Sequence, residues 1–410
     1  MIGFNRYLVE AKNTHMEHLE DNVLNGGVDG ARQAINFLQS LRDMLAGNSK
    51  TKINTTVKWD GAPAVFAGID PRDKKFFVAK KGIFNKNPKV YKTEKEVRAD
   101  TSGDLAEKLV ACLKYLPALG IKGVIQGDLM FTQDDLKIEN IGDEQCVTFH
   151  PNTIVYAVPT KTKLSKQIQA SKIGIVWHTK YTGKSFETMK ASFGKNIKST
   201  LTPSRNVWFD DATYRDITGT ATMTQTETDQ VTKVLSRAGT IFQTIKPGIL
   251  NGISNDQELL ILIKTYNNSK IRMGQPIISD GASHIRGLVA FITDKFQKEE
   301  DSKKTEAGKE AVRERKQRVL KFFSNNDPME IGKVFELMKL IIEAKVVIIS
   351  KMNKAEGIST FLKTTSGFVA TSQEGYVAID HSGTNAVKIV DRLEFSRANF
   401  SPDILKGWQR

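Results

Sequence analysis

The sequence predicts an α+β fold in which antiparallel sheets carry helices on their outer faces and a large helical segment precedes the last strands. Short β-type runs separated by turns fill residues 52–158, whereas apolar residues at helical spacing dominate residues 185–355. Further β-type runs follow residue 365. This order indicates a core whose last strands are supplied after a helical insertion.

The same patterns predict four parts along the chain. Residues 1–50 form a helical N-terminal preface, and residues 51–184 form the first part of the core. Residues 185–360 form a mostly helical insertion or accessory domain, and residues 361–410 return to the core with its last strands.

The preface is predicted to be helical from two features. Thr14 and Glu17 have the spacing of a capping box, in which the two side chains satisfy backbone N–H groups at the start of a helix. Apolar residues then recur near helical spacing at Ala31, Ile35, Leu38, Leu41 and Leu45.

The stretch Lys58-Trp59-Asp60-Gly61 organises the rest of the chain. β-type runs flank it on both sides, which predicts a strand, a tight Asp-Gly turn and a second strand. A lysine held there, buried among other cations, would lose its proton readily and become a nucleophile. An ordinary hairpin turn with a surface lysine is the alternative.

Four β-type runs and one amphipathic helix follow this turn. The runs cover residues 76–82, 123–131, 153–158 and 173–177, and the helix covers residues 105–119.

In the helical segment, residues 231–245, 259–263 and 334–349 each carry apolar residues at helical spacing. Residues 296–320 mix both charges and are expected to form a solvated helix or a linker. The final β-type runs cover residues 368–370, 374–379 and 385–392.

The charge balance points to a polyanionic partner. Lys and Arg number 60 against 46 Asp and Glu, a formal net charge of +14. The excess is clustered in residues 72–98, where aromatic residues are interleaved, and in residues 161–205. Such stretches suit a phosphate backbone and unpaired bases, so we expect Lys86, Lys89 and Lys92 to contact nucleic acid. A solvated basic face is the alternative.

Cysteine usage and hydropathy predict a protein of the reducing cytoplasm. The two cysteines, Cys112 and Cys146, are too few for a disulfide framework or a cysteine zinc site. Charged residues interrupt the longest apolar run, residues 334–349, so no membrane partner is expected.

At this point the motifs resemble those of the covalent nucleotidyltransferases: DNA ligases, RNA ligases and messenger RNA capping enzymes. The Lys58 tetrapeptide resembles the lysine-x-aspartate-glycine motif I of that family. The later motifs follow in the family's order, each on a predicted strand. They are Lys80-Lys81-Gly82, Gln126-Gly127-Asp128-Leu129, Tyr156-Ala157, Glu374-Gly375-Tyr376-Val377-Ala378 and Val387-Lys388-Ile389. The resemblance implies a ligase-type nucleotidyltransferase core over residues 50–180 and 365–395.

The resemblance also implies a role for each residue. Lys58 would be the nucleophile, and Lys388 would stabilise the charge that develops on the α-phosphate. Binding of ATP, with Mg²⁺ or Mn²⁺ held by Glu374 and Asp128, would complete the site. Further nucleotide-binding residues would be Asp60, Gly61, Lys80, Lys81, Tyr156 and Arg392.

The resemblance therefore predicts an ATP-dependent polynucleotide ligase, acting on RNA rather than DNA. It would adenylate Lys58, pass AMP to a 5′-phosphate and seal that end to a 3′-hydroxyl. The chain after residue 395 is too short for the oligonucleotide-binding-fold domain of DNA ligases, which favours RNA. The whole sequence also resembles a protein of large tailed phages, which implies that the protein is located in the cytoplasm of the host cell.

Two alternatives stay open. The nucleotidyl-lysine could pass its nucleotide to a protein or small molecule. The chain could also be a non-catalytic nucleic-acid-binding protein on a degenerate ligase fold, because Asp128 stands where motif III usually carries glutamate and Val390 where motif V usually carries a second lysine.

Overall fold

The computed structural model of the chain describes residues 17–46, 54–193, 196–212, 223–278, 280–352, 358–371, 374–379 and 386–407. Helices and three mainly antiparallel sheets make up these residues, so the predicted α+β class is confirmed. No helix among them is long and apolar enough to cross a membrane.

The largest sheet, here called the central sheet, has the strand order β10-β8-β4-β2-β3, with β9 paired to β8. All its pairs are antiparallel except β10 with β8. Two helices, α3 and α4, flank it; apolar residues of α4 pack on one of its faces. The bounds are β2 Ala64–Ile69, β3 Phe76–Ala79, α3 Glu94–Asp100, α4 Gly103–Tyr115, β4 Val124–Thr132, β8 Ile173–Thr182, β9 Lys190–Phe193 and β10 Val207–Asp211.

A second sheet has the order β12-β11-β7-β6-β5, and a third, here called the site sheet, has the order β1-β13-β14. Every pair in both is antiparallel. The bounds are β1 Asn54–Lys58, β5 Lys137–Ile141, β6 Glu144–Phe149, β7 Ile154–Pro159, α5 Lys163–Ala170, β11 Ser359–Thr364, β12 Gly367–Ala370, β13 Gly375–Ile379 and β14 Ala386–Ile389.

Both late strand pairs return to partners from the first half of the chain. Strand β11 pairs with β7, and β13 pairs with β1. The expectation that the last strands complete sheets begun before the helical segment is therefore confirmed.

The two strands predicted on either side of the Lys58 turn are present, but they do not pair with each other as a hairpin. Strand β1 pairs with β13, whereas β2 pairs with β3 and β4, so residues 59–63 carry the chain from one sheet to another. An Asp-Gly dipeptide identifies a local turn but not the pairing of the strands beside it. That pairing depends on β13, more than 300 residues further along the chain.

The helices after residue 223 and the N-terminal helix α2 form one layer with a common core. Three apolar residues of the site sheet, Val57, Tyr376 and Ile389, belong to the same core. The predicted apolar positions of α2, from Ala31 to Leu45, are all buried in it. The bounds are α1 Asn22–Asn25, α2 Gly27–Leu45, α6 Gln225–Thr244, α7 Pro247–Asn255, α8 Gln257–Arg272, α9 Gly281–Asp301, α10 Glu306–Asn325, α11 Pro328–Met352 and, following β14, α12 Arg392–Phe400.

Two expectations for the helical segment are corrected. Residues 296–320 are not a linker: they span α9 and α10, and Phe296, Val312 and Val319 are buried. The dense charges cover the outer faces of these helices and hide a narrow apolar stripe. Strands β9 and β10 also lie beyond residue 185 and extend the central sheet to residue 211. Thr14, of the predicted capping box, lies outside the described residues.

Candidate active site

Lys58 lies at the end of β1, directly opposite Gly375 of β13. Its ammonium forms an ion pair with the carboxylate of Glu374, whose side chain is 6% exposed against 26% for Lys58. The neighbouring strand β14 carries Lys388, in register with Val377 of β13. Three residues predicted from separate motifs are thus brought together by the site sheet.

The electrostatics of this group are set by burial and by close charges. Burial, together with the nearby Asp60 and Asp128 carboxylates, raises the pKa of the Glu374 carboxyl to about 7, against the opposing effect of Lys58. Burial also lowers the pKa of Lys388, and the Lys58 ammonium lowers it further. At neutral pH the site therefore holds a carboxyl near the midpoint of its titration, close to the ammonium groups of Lys58 and Lys388.

Asp60 holds the turn that follows Lys58. Its buried carboxylate accepts hydrogen bonds from Asn152 Nδ2 at 2.6 Å, from the backbone N–H of Thr153 at 2.7 Å and from that of Ile154 at 2.9 Å. The backbone N–H of Asp60 donates to the hydroxyl of Tyr156 at 2.7 Å. Four hydrogen bonds therefore fix the direction in which β1 presents Lys58, and Asp60 acts in positioning.

Gly61 allows the turn to lie flush against β4. A Cβ atom at this position would stand 2.6 Å from Asp128 Cβ and 3.0 Å from the carbonyl oxygen of Leu129. The next residue, Ala62, donates its N–H to that same Leu129 oxygen at 2.9 Å. Gly61 therefore brings the motif I turn within contact of Asp128, and a larger residue would separate them.

Asp128 is the second carboxylate of the site. Its side chain is 22% exposed, and one oxygen lies 3.6 Å from Nε2 of His178 on β8. The described residues contain no group of three or more metal-ligating side chains. Mg²⁺, however, is commonly held by one or two carboxylates together with substrate phosphates, and Glu374 and Asp128 fit that requirement.

The two lysines after β3 have different surroundings. Lys80 pairs with Asp100 at 3.3 Å. Lys81 opens a short 3₁₀ helix, Lys81–Phe84, is exposed, and lies close enough to Lys388 to lower its pKa. Of the two, Lys81 is the one available to a phosphate in this site.

Tyr156 lies beneath the turn. Its side chain is fully buried and stacks with Trp59 at a centroid distance of 5.1 Å and with Phe149 at 5.3 Å. In the structure it supports the backbone of Asp60, and no face of its ring is open to a nucleotide base.

Arg392 belongs to a buried ion-pair network at the start of α12. Its guanidinium donates to Glu20 at 3.3 Å, to Asp21 at 3.2 Å and to the side-chain oxygen of Asn268 at 2.5 Å. Glu20 also pairs with the buried Lys345 at 2.6 Å. The arginine thus joins the helical layer to the end of the site sheet.

The three lysines predicted to contact nucleic acid differ in their pairing. Lys89 pairs with Asp100 at 2.6 Å. Lys92 pairs with the buried Asp70 at 2.7 Å and with Asp73 at 2.7 Å. Lys86 is exposed and forms no ion pair with any residue that the structure describes.

Sequence reasoning missed several residues that surround the site: Asn152 and Thr153, which hold Asp60, and His178, which faces Asp128. The Pro-Asn-Thr composition at 151–153 indicates a turn. No local pattern gives its partner, because the contact to Asp60 spans more than 90 residues.

The model of a family described as a family of unknown function, DUF6267, matches residues 13–403. No curated protein and no solved structure matches the chain.

Proposed function

Since the chain belongs to DUF6267, a family of unknown function, we propose its activity from the site itself: an ATP-dependent nucleotidyltransferase that forms a covalent adenylate on Lys58. The acceptor of the nucleotide is a polynucleotide 5′-phosphate, on RNA rather than DNA, and the completed reaction is strand joining. The core that carries this activity is a ligase-type nucleotidyltransferase core.

One observation carries the proposal. Lys58 is more than 300 residues from Glu374 and Lys388 in the chain, yet the three meet at the adjacent strands of the site sheet, with Glu374 directly before β13. Motifs can resemble those of a family in sequence without lying next to each other in the fold. A nucleophilic lysine, an acid in contact with it and a second cation beside both are the groups that attack on a phosphate ester requires.

The chemistry assigns a role in the attack to each of these groups. The amine of Lys58 attacks the α-phosphorus of ATP, a nitrogen–phosphorus bond forms, and the bond to pyrophosphate breaks. The carboxylate of Glu374 contacts the attacking amine and has a pKa near 7, so it is suited to accept the proton that the amine must lose. Lys388 and Lys81 supply positive charge where negative charge develops on the phosphates.

A divalent cation has a place in this site. Glu374 and Asp128 are the residues that would hold Mg²⁺ or Mn²⁺, and the ion would neutralise the triphosphate. AMP then passes from Lys58 to a 5′-phosphate, and attack by a 3′-hydroxyl releases AMP and joins the strands.

The test is retention of label from α-labelled ATP on denatured protein. Wild type is expected to carry label that pyrophosphate removes, and Lys58→Arg is expected to carry none. Glu374→Gln is expected to lose at least about 100-fold in labelling rate, because the glutamine cannot accept the proton. Lys114→Arg, on the exposed side of α4, is the matched control and should label as wild type.

Two outcomes would overturn the proposal. One is wild type that takes no label from any nucleoside triphosphate and whose purified Lys58 carries no adenylate by mass spectrometry. The other is equal labelling of Lys58→Arg. Salt-dependent oligonucleotide binding without labelling would instead support a non-catalytic nucleic-acid-binding protein.

The acceptor is tested separately with adenylated protein and 5′-phosphorylated RNA or DNA. Joined RNA strands are the expected product. Adenylated protein that joins neither RNA nor DNA would point to a protein or small-molecule acceptor.

A further inference from the structure

We propose that the C-terminal segment, residues 392–407, is part of the candidate active site, with Phe395 shielding the amine of Lys58 and Lys406 positioning the turn that carries Asp60. The inference deepens the proposed function and rests on it for its catalytic consequence. Its structural half, the covering of Lys58 and the anchoring of Asp60, is testable without any nucleotide.

Phe395 covers one side of the nucleophile. The Nζ atom of Lys58 lies 5.8 Å from the centroid of the Phe395 ring, which is carried by α12. The start of α12 is held by the buried network of Arg392 with Glu20 and Asp21. A ring fixed in this way limits the approach of water to the amine and interacts favourably with its charge.

The chain after α12 returns to the turn that binds Asp60. Leu405 donates its N–H to the Lys363 carbonyl at 2.9 Å, and Gly407 donates to that of Asn152 at 2.7 Å. A Cβ atom on Gly407 would stand 1.9 Å from the carbonyl oxygen of His150. The segment therefore lies directly on the 150–153 turn, with backbone against backbone.

Two side chains of the segment hold Thr153. Lys406, which is 9% exposed, donates to Thr153 Oγ1 at 3.3 Å, and that hydroxyl donates to Asn399 Oδ1 at 2.8 Å. The backbone N–H of Thr153 in turn donates to Asp60 at 2.7 Å. Lys406 thus acts on Asp60 through one intervening residue.

The charges agree with this role. Burial lowers the pKa of Lys406, and the Asp60 carboxylate opposes that change, which shows that the two charges interact. A carboxylate as buried as Asp60 is stabilised by a cation nearby. Lys406 acts on the site through Thr153, so it is a positioning residue and not a catalytic one.

The first measurement is the rate at which a small amine-acylating reagent modifies Lys58, followed by peptide mass spectrometry on the intact full-length chain. Phe395→Ala is expected to raise the rate severalfold, because the ring no longer covers the amine. Lys406→Met is expected to change the rate as well, because the turn beside Lys58 is loosened. Asp403→Asn, an exposed change in the same segment, is the matched control.

The second measurement is the rate of Lys58 labelling by α-labelled ATP. Lys406→Met is expected to lose about tenfold in maximal rate, and Lys406→Arg to recover most of it, because arginine keeps the charge. If Phe395→Ala fails to fold, Phe395→Leu replaces it, since leucine keeps an apolar side chain but not the aromatic face.

The results separate the two proposals. If Lys58 is acylated at the wild-type rate in both Phe395→Ala and Lys406→Met, the inference is overturned. The proposed nucleotidyltransferase activity would not be affected by that result. If the variants show altered acylation of Lys58 and wild type takes no label from ATP, the structural half is upheld and the proposed function is rejected. Equal loss of labelling in Lys406→Met and Lys406→Arg at unchanged acylation would reject the positioning role.

Discussion

At the residue scale, Asp70 shows how a basic stretch of sequence can serve the fold. Its fully buried carboxylate accepts hydrogen bonds from the Arg72 guanidinium at 2.8 Å and pairs with Lys92 at 2.7 Å. These partners outweigh the effect of burial and hold the pKa of Asp70 well below its ordinary value of 3.8. Lys92 therefore compensates a buried charge, and its positive charge is not free for a phosphate.

The first prediction concerns stability against pH. Lys92→Met is expected to lower the free energy of unfolding by about 1–3 kcal/mol at pH 7, because it removes a charged hydrogen bond to a buried acceptor. A depressed carboxyl pKa contributes stability above its unfolded value, which is lost as the pH falls through the folded one. Because Asp70 has the same pKa in both unfolded chains, the gap between the free energies of unfolding of wild type and variant should narrow only as the pH falls toward the depressed folded pKa of Asp70.

Urea unfolding at several pH values measures this gap, with Lys86→Met as the control for loss of an exposed lysine. A gap at pH 7 no larger than the one that Lys86→Met produces would mean that the contact of Lys92 with Asp70 does not stabilise the fold.

At the scale of elements, the site depends on close contact between turns and strands that belong to different sheets. Gly61 lies against Asp128 of β4, and Gly375, with φ at +144°, lies against Val390 and the carbonyl of Ile389 beside β14. A side chain at either position would force two elements apart, and each of the four motifs involved carries a proposed functional residue. The glycines thus determine distances between functional groups.

The second prediction tests this at Gly61. Gly61→Ala is expected to destabilise the protein by about 1–3 kcal/mol through overpacking against Asp128 and Leu129. It is also expected to reduce labelling of Lys58 more than the loss of folded protein explains. Circular dichroism melts and the labelling assay measure the two effects on the same samples.

Gly248→Ala is the matched control, because this helical glycine of α7 has open space at its Cβ position. Alanine there should be neutral or stabilise by up to about 1 kcal/mol. If Gly61→Ala behaves like Gly248→Ala, the flush packing of the motif I turn is not required.

At the scale of the whole molecule, the net charge of +14 comes in part from lysines that pair with acids and in part from lysines that do not. Three of the eight lysines in the 72–98 stretch, Lys80, Lys89 and Lys92, are paired with acids. In the other basic stretch, five exposed lysines form no ion pair with any residue in the described ranges. They are Lys161, Lys163, Lys166, Lys184 and Lys190. Both stretches therefore have exposed lysines that are available to a polyanion.

The third prediction concerns the unpaired lysines of the second basic stretch. The triple variant Lys161→Ala, Lys163→Ala, Lys166→Ala is expected to weaken oligonucleotide binding and to lower the slope of log affinity against log salt by about 2–3. Lys89→Ala is the matched control, since Asp100 already neutralises it, and it should change the slope by less than about 1. Fluorescence anisotropy across a salt series measures both. Equal slopes for the triple variant and wild type would remove this stretch from the binding surface.

The class of fold and many of the helices and strands can be predicted from the sequence alone. The alternation in β1, the apolar run in β4 and the helical spacing in α2, α6 and α11 are local properties, so a window of a few residues contains the signal. The same holds for the identity of Lys58, Glu374 and Lys388 as candidates, because residue type and order along the chain were enough to single them out.

Which of these elements and residues lie next to each other is known only from the three-dimensional fold. It paired β1 with β13, enclosed Tyr156 under the turn and committed Arg392 to an ion pair with Glu20. It also brought Lys406 to the turn that holds Asp60. Each of these contacts joins positions far apart in the chain, where partner choice depends on packing and the burial of charge across the whole fold, which no local pattern records.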